Sequence, residues 1–267
     1  MTIKLIALDL DDTLLNNGKK VSLRASKAIR QAVKQGVTVT MATGRMYKSA
    51  LPYALELELD VPIITYNGAL VKWSKSGETL FHQPIDSATT REVLSLFKER
   101  GWYVQAYVDD QLYVDKLNSK SDYYERMTGI AAIPLDEKFY KLEGEPSKML
   151  AIAEPEDIGG IRQVMADTFG SRLNLAVSGP RYLEIVNPMV NKGMALKFLA
   201  ESLGIVRAEV MAVGDSQNDL SMIKYAGFGV AMGNAMPEVI VVADAVTAAN
   251  DADGVAEAIE NYVLATR

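Results

Sequence analysis

Short unbroken apolar runs alternate with amphipathic stretches through the first third of the chain. IKLIALD, VTVTMATG and PIITYNG have the length and the Val/Ile/Leu content of strands covered on both faces. Between them, SLRASKAIRQAVKQG and MYKSALPYALELEL place apolar residues at helical spacing, and the first of these ends at Gly36. The β-α-β-α-β order predicts a parallel sheet covered by helices. The last third repeats the pattern. KGMALKFLAESLG reads as a helix, EVMAVGD as a strand, DLSMIKYAG as a helix, FGVAM as a strand and GVAEAIENYVL as a helix.

The middle of the chain is built differently. TTREVLSLFKERG predicts a helix with a capping box from Thr89 to Glu92 and a stop at Gly101. WYVQAYVDDQLYVD alternates around a polar turn, the signature of a β-hairpin. SKMLAIAE, a helix to Gly170, and the strands LNLAVS and YLEIVN follow. Hairpin-style strands beside two helices predict a separate α+β unit over 84–186, with 1–83 and 187–267 forming the parallel-sheet core. Aromatic residues concentrate in the insert, as a lid over a small ligand would need.

Composition narrows the chemistry. The chain has 267 residues, 49% of them hydrophobic, and that length accommodates one large domain or two. A net charge of −6 without a long Lys/Arg run argues against a nucleic-acid partner. No apolar run approaches the ~20 residues of a membrane helix. Asp9 interrupts the only apolar stretch near the N-terminus, so no signal-peptide layout is expected and the expected setting is cytoplasmic. There is no cysteine, hence no thiol nucleophile, disulfide or cysteine-ligated zinc. The one histidine, His82, has no G-x-S-x-G partner sequence for a serine triad and is expected at a strand end or on the surface. Whatever chemistry the chain performs must use carboxylates, amines, hydroxyls and metal.

Charged residues stand where the predicted strands end. Asp9, Asp11 and Asp12 follow the first strand, Thr43 the second, and Asp215 and Asp219 follow VMAVG, while Lys192 opens a helix. Open α/β sheets bind ligands at the carboxyl ends of their strands. Two carboxylates ~4 Å apart repel by roughly 4 kcal/mol at an effective dielectric near 20. Asp9, Asp11, Asp215 and Asp219 gathered together therefore need a compensating cation, and Mg²⁺ suits carboxylates with waters and a phosphate oxygen. Each piece alone has a plainer reading: DLDDT as an acidic capping turn, Asp215 as a helix cap, Thr43 as a strand-end hydroxyl. Leu14 stands where an EF-hand loop needs glycine, and Met232 stands where a dinucleotide loop needs its third.

In order along the chain, DLDDT, ATGR, NKG and GDSQND resemble the motifs of the haloacid dehalogenase superfamily. TYNGA and YLEIVNPMVNKG resemble its Cof-type sugar-phosphatase branch, and the resemblance covers nearly the whole chain. It implies an α/β fold with a Rossmann-like parallel-sheet core, helices on both faces, and an inserted α+β cap. It implies Asp9 as the nucleophile that forms an aspartyl-phosphate, and Asp11 as the acid, then base, with a raised pKa. Mg²⁺ would be held at Asp9, Asp11 (by its backbone carbonyl), Asp215 and Asp219. Thr43, the Gly44 amide, Lys192 and Asn218 would bind phosphate. Asp11 favours phosphate-ester chemistry over dehalogenation. The long interval between Gly68 and Lys192 marks a late-inserted cap and disfavours a phosphomutase. A Mg²⁺-binding metabolite sensor without turnover is the alternative outside enzymology. Asp12 departs from the common motif, which has glycine there, and aspartate tolerates a left-handed turn better than most residues. The expected partner is a small phosphorylated metabolite. Arg45, Lys148, Arg181 and Asn187 are polar candidates for its other end.

Overall fold

In the computed structural model, which describes residues 2–265, the predicted elements of the first third follow one another in order. They are β1 (Leu5–Leu8), α1 (Leu23–Lys34), β2 (Thr38–Met41), α2 (Tyr47–Glu56) and β3 (Pro62–Thr65). Ser22 starts α1 by accepting the Ala25 amide, and Ala25, Ala28, Ile29 and Ala32 form its buried stripe. Two strands that the pattern did not predict, β4 (Leu70–Trp73) and β5 (Thr79–His82), complete this part.

The insert comprises α3 (Ser87–Arg100), β6 (Val104–Val108), β7 (Gln111–Val114), α4 (Ser119–Thr128), β8 (Ile133–Pro134), β9 (Lys148–Ile152), α5 (Pro155–Phe169), β10 (Asn174–Gly179) and β11 (Tyr182–Val186). The chain then continues with α6 (Lys192–Ser202), β12 (Val210–Gly214), α7 (Leu220–Tyr225), β13 (Phe228–Ala231), α8 (Pro237–Val242), β14 (Ala245–Val246) and α9 (Gly254–Ile259). It divides into two compact units. One joins the residues up to Phe81 with those from Asn191 onward, and the other is His82–Val190. No helix among the described residues is long and apolar enough to cross a membrane.

The first unit is built on a parallel sheet in the order β14-β13-β12-β1-β2. Leu5 and Ala7 of β1, with Val210 and Ala212 of β12, pack on Ala195, Leu196 and Leu199 of α6 and on Met222 and Ile223 of α7. Ile6 and Leu8, which point to the opposite face, are equally buried. The sheet is thus covered on both sides, which is why its strands are apolar throughout. In β3 the structure departs from the expected parallel sheet. It touches β2 through a single parallel bridge, Ala42 to Ile64, and finds its regular partner in the antiparallel β4. Strands β3, β4 and β5 form a separate small sheet.

The second unit is a sheet in the order β10-β11-β9-β6-β7-β8. Its pairings are antiparallel except β7 with β8. One face carries α3 and α5, whose Val93, Leu94, Phe97, Ile158, Ile161 and Met165 meet Ala106, Met149, Ala151, Leu183 and Ile185. The predicted hairpin is β6–β7, turning through Asp109 and Asp110, both left-handed at φ 50° and 58°. A third helix, α4, was not anticipated. His82 ends β5 and lies 2.9 Å through Nε2 from the Ser147 hydroxyl.

The predicted capping box of α3 does not form. The helix begins a turn earlier because Asp86 accepts from the amides of Ala88 and Thr89 and is a stronger cap. Thr89 is buried, and Glu92 pairs with Arg172 on the surface. Asp86→Ala should therefore lower the unfolding free energy by about 1 kcal/mol, whereas Glu92→Gln should leave it nearly unchanged, because the ion pair it breaks lies in solvent. Thermal melts of the two variants test this, and an equal loss in both would restore the Thr89–Glu92 box.

Candidate active site

Strand register brings the acidic residues together. Leu8 lies opposite Val213 on one side and Met41 on the other, so the next residues of β1, β2 and β12 leave the sheet at the same edge. Asp9 is still tied to that edge through its amide, which donates to the Val213 carbonyl at 3.0 Å. Lys192 is the first residue of α6, a helix capped by Asn191 through the Met194 amide. The Gly193 amide donates to the Ser221 hydroxyl, which anchors this helix start to the chain just beyond Asp219.

The Lys192 ammonium is fully buried. It stands 2.6 Å from Asp9 Oδ1 and 2.6 Å from Asp219 Oδ1. A cation at a helix N-terminus opposes the helix dipole, and the two carboxylates supply the compensation. Asp219 organises its own turn: its Oδ2 accepts the Asp215 and Ser216 amides at 3.0 Å each. The third carboxylate, Asp215, accepts the Thr13 hydroxyl at 2.8 Å. Asp9, Asp215 and Asp219 are all buried and offer oxygens within 4.8 Å of one another.

The electrostatics of this group are unbalanced without a further positive charge. Burial drives the Asp9 carboxyl well above the ordinary aspartate range, against the pull of Lys192, and Asp219 and Asp215 push it the same way. Burial and Asp219 raise Asp215 to about 6. Burial alone would lower the Lys192 pKa, but Asp219 and Asp9 hold it above the ordinary lysine value. Three buried carboxylates against one ammonium, with only oxygen donors, fit a hard divalent cation.

Asp11 behaves differently from expectation. Its carboxylate stands apart from the three-aspartate group and is gripped by Arg45, with Nε and Nη2 each at 2.7 Å, while Lys19 approaches to 3.2 Å. Burial would raise its pKa, but the Arg45 and Lys19 contacts hold it below the ordinary value, where a raised one was expected. The cause is local. Asp11 keeps an extended backbone within the turn Leu10–Leu14, and Asp12 then reverses the chain at φ 58°. That left-handed geometry is where the usual glycine would sit, and Asn234 holds the Asp12 carbonyl at 2.8 Å.

Thr43 is buried after β2, and its hydroxyl accepts the Arg45 amide at 3.1 Å. Asn218 lies in the Asp215–Asp219 turn, held on one side by the Ser216 hydroxyl at 2.8 Å and on the other by Asn67 at 3.0 Å. Thr13, Lys19 and Asn67 have no role expected from the sequence, and Arg45 is expected only as a substrate contact. Two signals were available: Thr13 follows Asp9 by one turn, and Arg45 shares the ATGR stretch with Thr43.

A family model described as haloacid dehalogenase-like hydrolase matches residues 6–259. A Bacillus subtilis protein named as a phosphatase is 31% identical over 291 residues, covering 98% of this chain and all of its own. A second from the same organism, named 5-amino-6-(5-phospho-D-ribitylamino)uracil phosphatase, is 31% identical and covers 97% of each chain. Among solved structures, a haloacid dehalogenase-like hydrolase from Bacteroides thetaiotaomicron superposes with a TM-score of 0.90 at 30% identity, over 97% of this chain and 99% of its own.

With its pKa raised, Asp215 would bind a cation in a pH-dependent way. A carboxyl whose folded pKa lies above its unfolded value stabilises the fold fully below about 3.8, and that contribution is lost as pH rises through about 6. A cation that takes the proton's place should restore what is lost. In chelator-treated protein, the rise in melting temperature on adding saturating Mg²⁺ should be small at pH 5 and larger at pH 7.5. It should be largely abolished in Asp215→Ala. An increment that is independent of pH would contradict the assignment.

Proposed function

The chain belongs to the haloacid dehalogenase-like hydrolase family and is a phosphatase of it, and we propose that it hydrolyses small phosphorylated metabolites, sugar phosphates first, with Mg²⁺ and an aspartyl-phosphate on Asp9. The observation that carries this reading is the Lys192 ammonium bonded to both Asp9 and Asp219, with Asp215 beside them. Lys192 holds Asp9 in place and draws charge from it. Asp9 then attacks phosphorus, the phosphorus–oxygen bond to the leaving alcohol breaks, and an acyl phosphate forms. Water attacks the same phosphorus, the acyl phosphate bond breaks toward Asp9, and inorganic phosphate leaves. Splitting the displacement in this way replaces one hard step with two easier ones.

Asp9, Asp215 and Asp219, with the Asp11 backbone carbonyl, would hold Mg²⁺, which when bound supplies positive charge to the phosphoryl oxygens and to the carboxylates. Lys192, Thr43, the Gly44 amide and Asn218 would hold those oxygens in line for attack, where positioning and charge do most of the catalytic work. Asp11 would give a proton to the leaving oxygen and later take one from water. For that its carboxylate must leave Arg45, which occupies both of its oxygens.

The insert His82–Val190, close to the 84–186 expected from the sequence, is the proposed specificity unit. A small phosphorylated metabolite as the substrate is supported by the relative whose name carries a phosphoribityl group. The net charge of −6 argues against nucleic acid, and a cytoplasmic setting accords with a metabolite substrate.

Phosphate release from a panel of phosphorylated metabolites tests the proposal. Sugar phosphates should be turned over far faster than phosphopeptides, and the reverse order would overturn the substrate class. Asp9→Asn should reduce kcat by ~10⁴-fold or more, as loss of a nucleophile does, and substantial turnover by it would exclude the covalent route. Asp11→Asn should slow alkyl phosphates more than nitrophenyl phosphate, because a good leaving group needs no proton. Equal losses would remove Asp11 from that role.

A further inference from the structure

Backbone strain is concentrated at one place in the first unit that the mechanism leaves without a task. Tyr66 and Asn67, which follow β3, are both left-handed, at φ 52° and 58°, and Gly68 follows at φ 104°. Two consecutive non-glycine residues in this region are uncommon, and such conformations persist where the surroundings over-determine them. Here the surroundings do. The Tyr66 amide donates to the Arg45 carbonyl at 2.9 Å, and the Asn67 amide donates to the Thr43 carbonyl at 3.0 Å. A Cβ at Gly68 would lie 2.4 Å from the Asn191 carbonyl oxygen, so this loop presses against the residue before Lys192.

The Asn67 side chain joins two of these segments. Its Oδ1 accepts the Asn218 amide at 3.0 Å and lies so close over Gly44 that a Cβ there would be 2.9 Å away. Asn218 is thereby clamped from both ends, since its own Oδ1 accepts the Ser216 hydroxyl at 2.8 Å. A primary amide has two N–H donors. One is spent on Asn67, and the direction of the other is fixed by that bond.

We infer that Asn67 is a positioning residue for phosphate binding: its side-chain carbonyl aims the Asn218 amide, and its left-handed backbone holds the Thr43–Gly44 loop in register with it. This rests on the reading of Asn218 and Gly44 as phosphate ligands. Asparagine suits the position because it tolerates the left-handed region better than other side chains that carry an acceptor. Glycine would keep the backbone and lose the acceptor, so the two contributions can be separated.

The test uses inorganic phosphate as a competitive inhibitor of the intact enzyme, with melting temperature as the control for folding. Asn67→Gly should keep its melting temperature within a few degrees of the parent, weaken phosphate inhibition about tenfold, and raise KM in parallel with a smaller change in kcat. Asn218→Ala should weaken inhibition by a similar factor. The double variant Asn67→Gly/Asn218→Ala should be no weaker than Asn218→Ala alone, because Asn67 acts through Asn218. If Asn218→Ala weakens inhibition and Asn67→Gly does not, or if the two losses multiply, the inference is overturned while the phosphate assignment stands. If Asn218→Ala leaves inhibition unchanged, the phosphate assignment itself fails and the inference falls with it. Should Asn67→Gly melt far below the parent, Asn67→Ser supplies the second variant. It adds no charge and its shorter hydroxyl falls short of Asn218, so phosphate inhibition as strong as the parent's would contradict the role.

Discussion

One ammonium group shared by two buried carboxylates is the constraint around which the first unit is arranged. Lys192 is wholly enclosed, and it can be so only because Asp9 and Asp219 each approach it to 2.6 Å. Removing one partner of a buried ion pair leaves an uncompensated charge, which costs about 3–5 kcal/mol. The three segments that meet here are the end of β1, the turn after β12 and the start of α6, so none can shift without exposing the others to that penalty. Asp215 adds a third negative charge that Lys192 cannot balance, and the group is thereby left suited to a divalent cation and an anionic ligand.

The parallel sheet makes this convergence possible. Aligned registers of β1 with β2 and β12 send Asp9, Thr43 and Asp215 out of the same edge, although they are far apart in sequence. Around that edge lies a ring of polar clamps: Thr13 on Asp215, the Asp215 and Ser216 amides on Asp219, and Ser216 and Asn67 on Asn218. Each fixes the direction of a group whose usefulness depends on direction, which is how preorganised sites stabilise charge. Asp11 is the exception. Arg45 holds it as a carboxylate away from the other three, so its participation requires a rearrangement rather than a proton shift alone.

Much of this was legible in the chain because the signals were periodic or local. Continuous apolar runs gave the buried parallel strands, and the change to alternating patterns in WYVQAYVDDQLYVD separated the insert from the core. The failures were of three physical kinds. A short apolar strand looks the same whether its neighbours run parallel or antiparallel, so the pattern does not show that β3 meets β2 through one parallel bridge and pairs regularly with β4. Two acceptors competed for one helix start, and Asp86 prevailed over Thr89 because it lies a turn earlier with a free carboxylate. The orientation of Asp11 depends on Arg45, which no local rule connects to it. Asn67-Gly68 signals a turn, but not the left-handed Tyr66 before it, which tertiary contacts to Thr43, Arg45 and Asn218 help to hold.

If Asp9, held by Lys192, is the nucleophile, it is covalently phosphorylated during turnover. Quenching the enzyme with borohydride while it turns over a sugar phosphate in Mg²⁺ reduces an acyl phosphate to homoserine, and fragmentation of the peptide Leu5–Lys19 locates the change. Homoserine is expected at position 9 only when substrate and Mg²⁺ are both present. Reduction at Asp11 or Asp12 instead, or an unmodified peptide under conditions of active turnover, would contradict it.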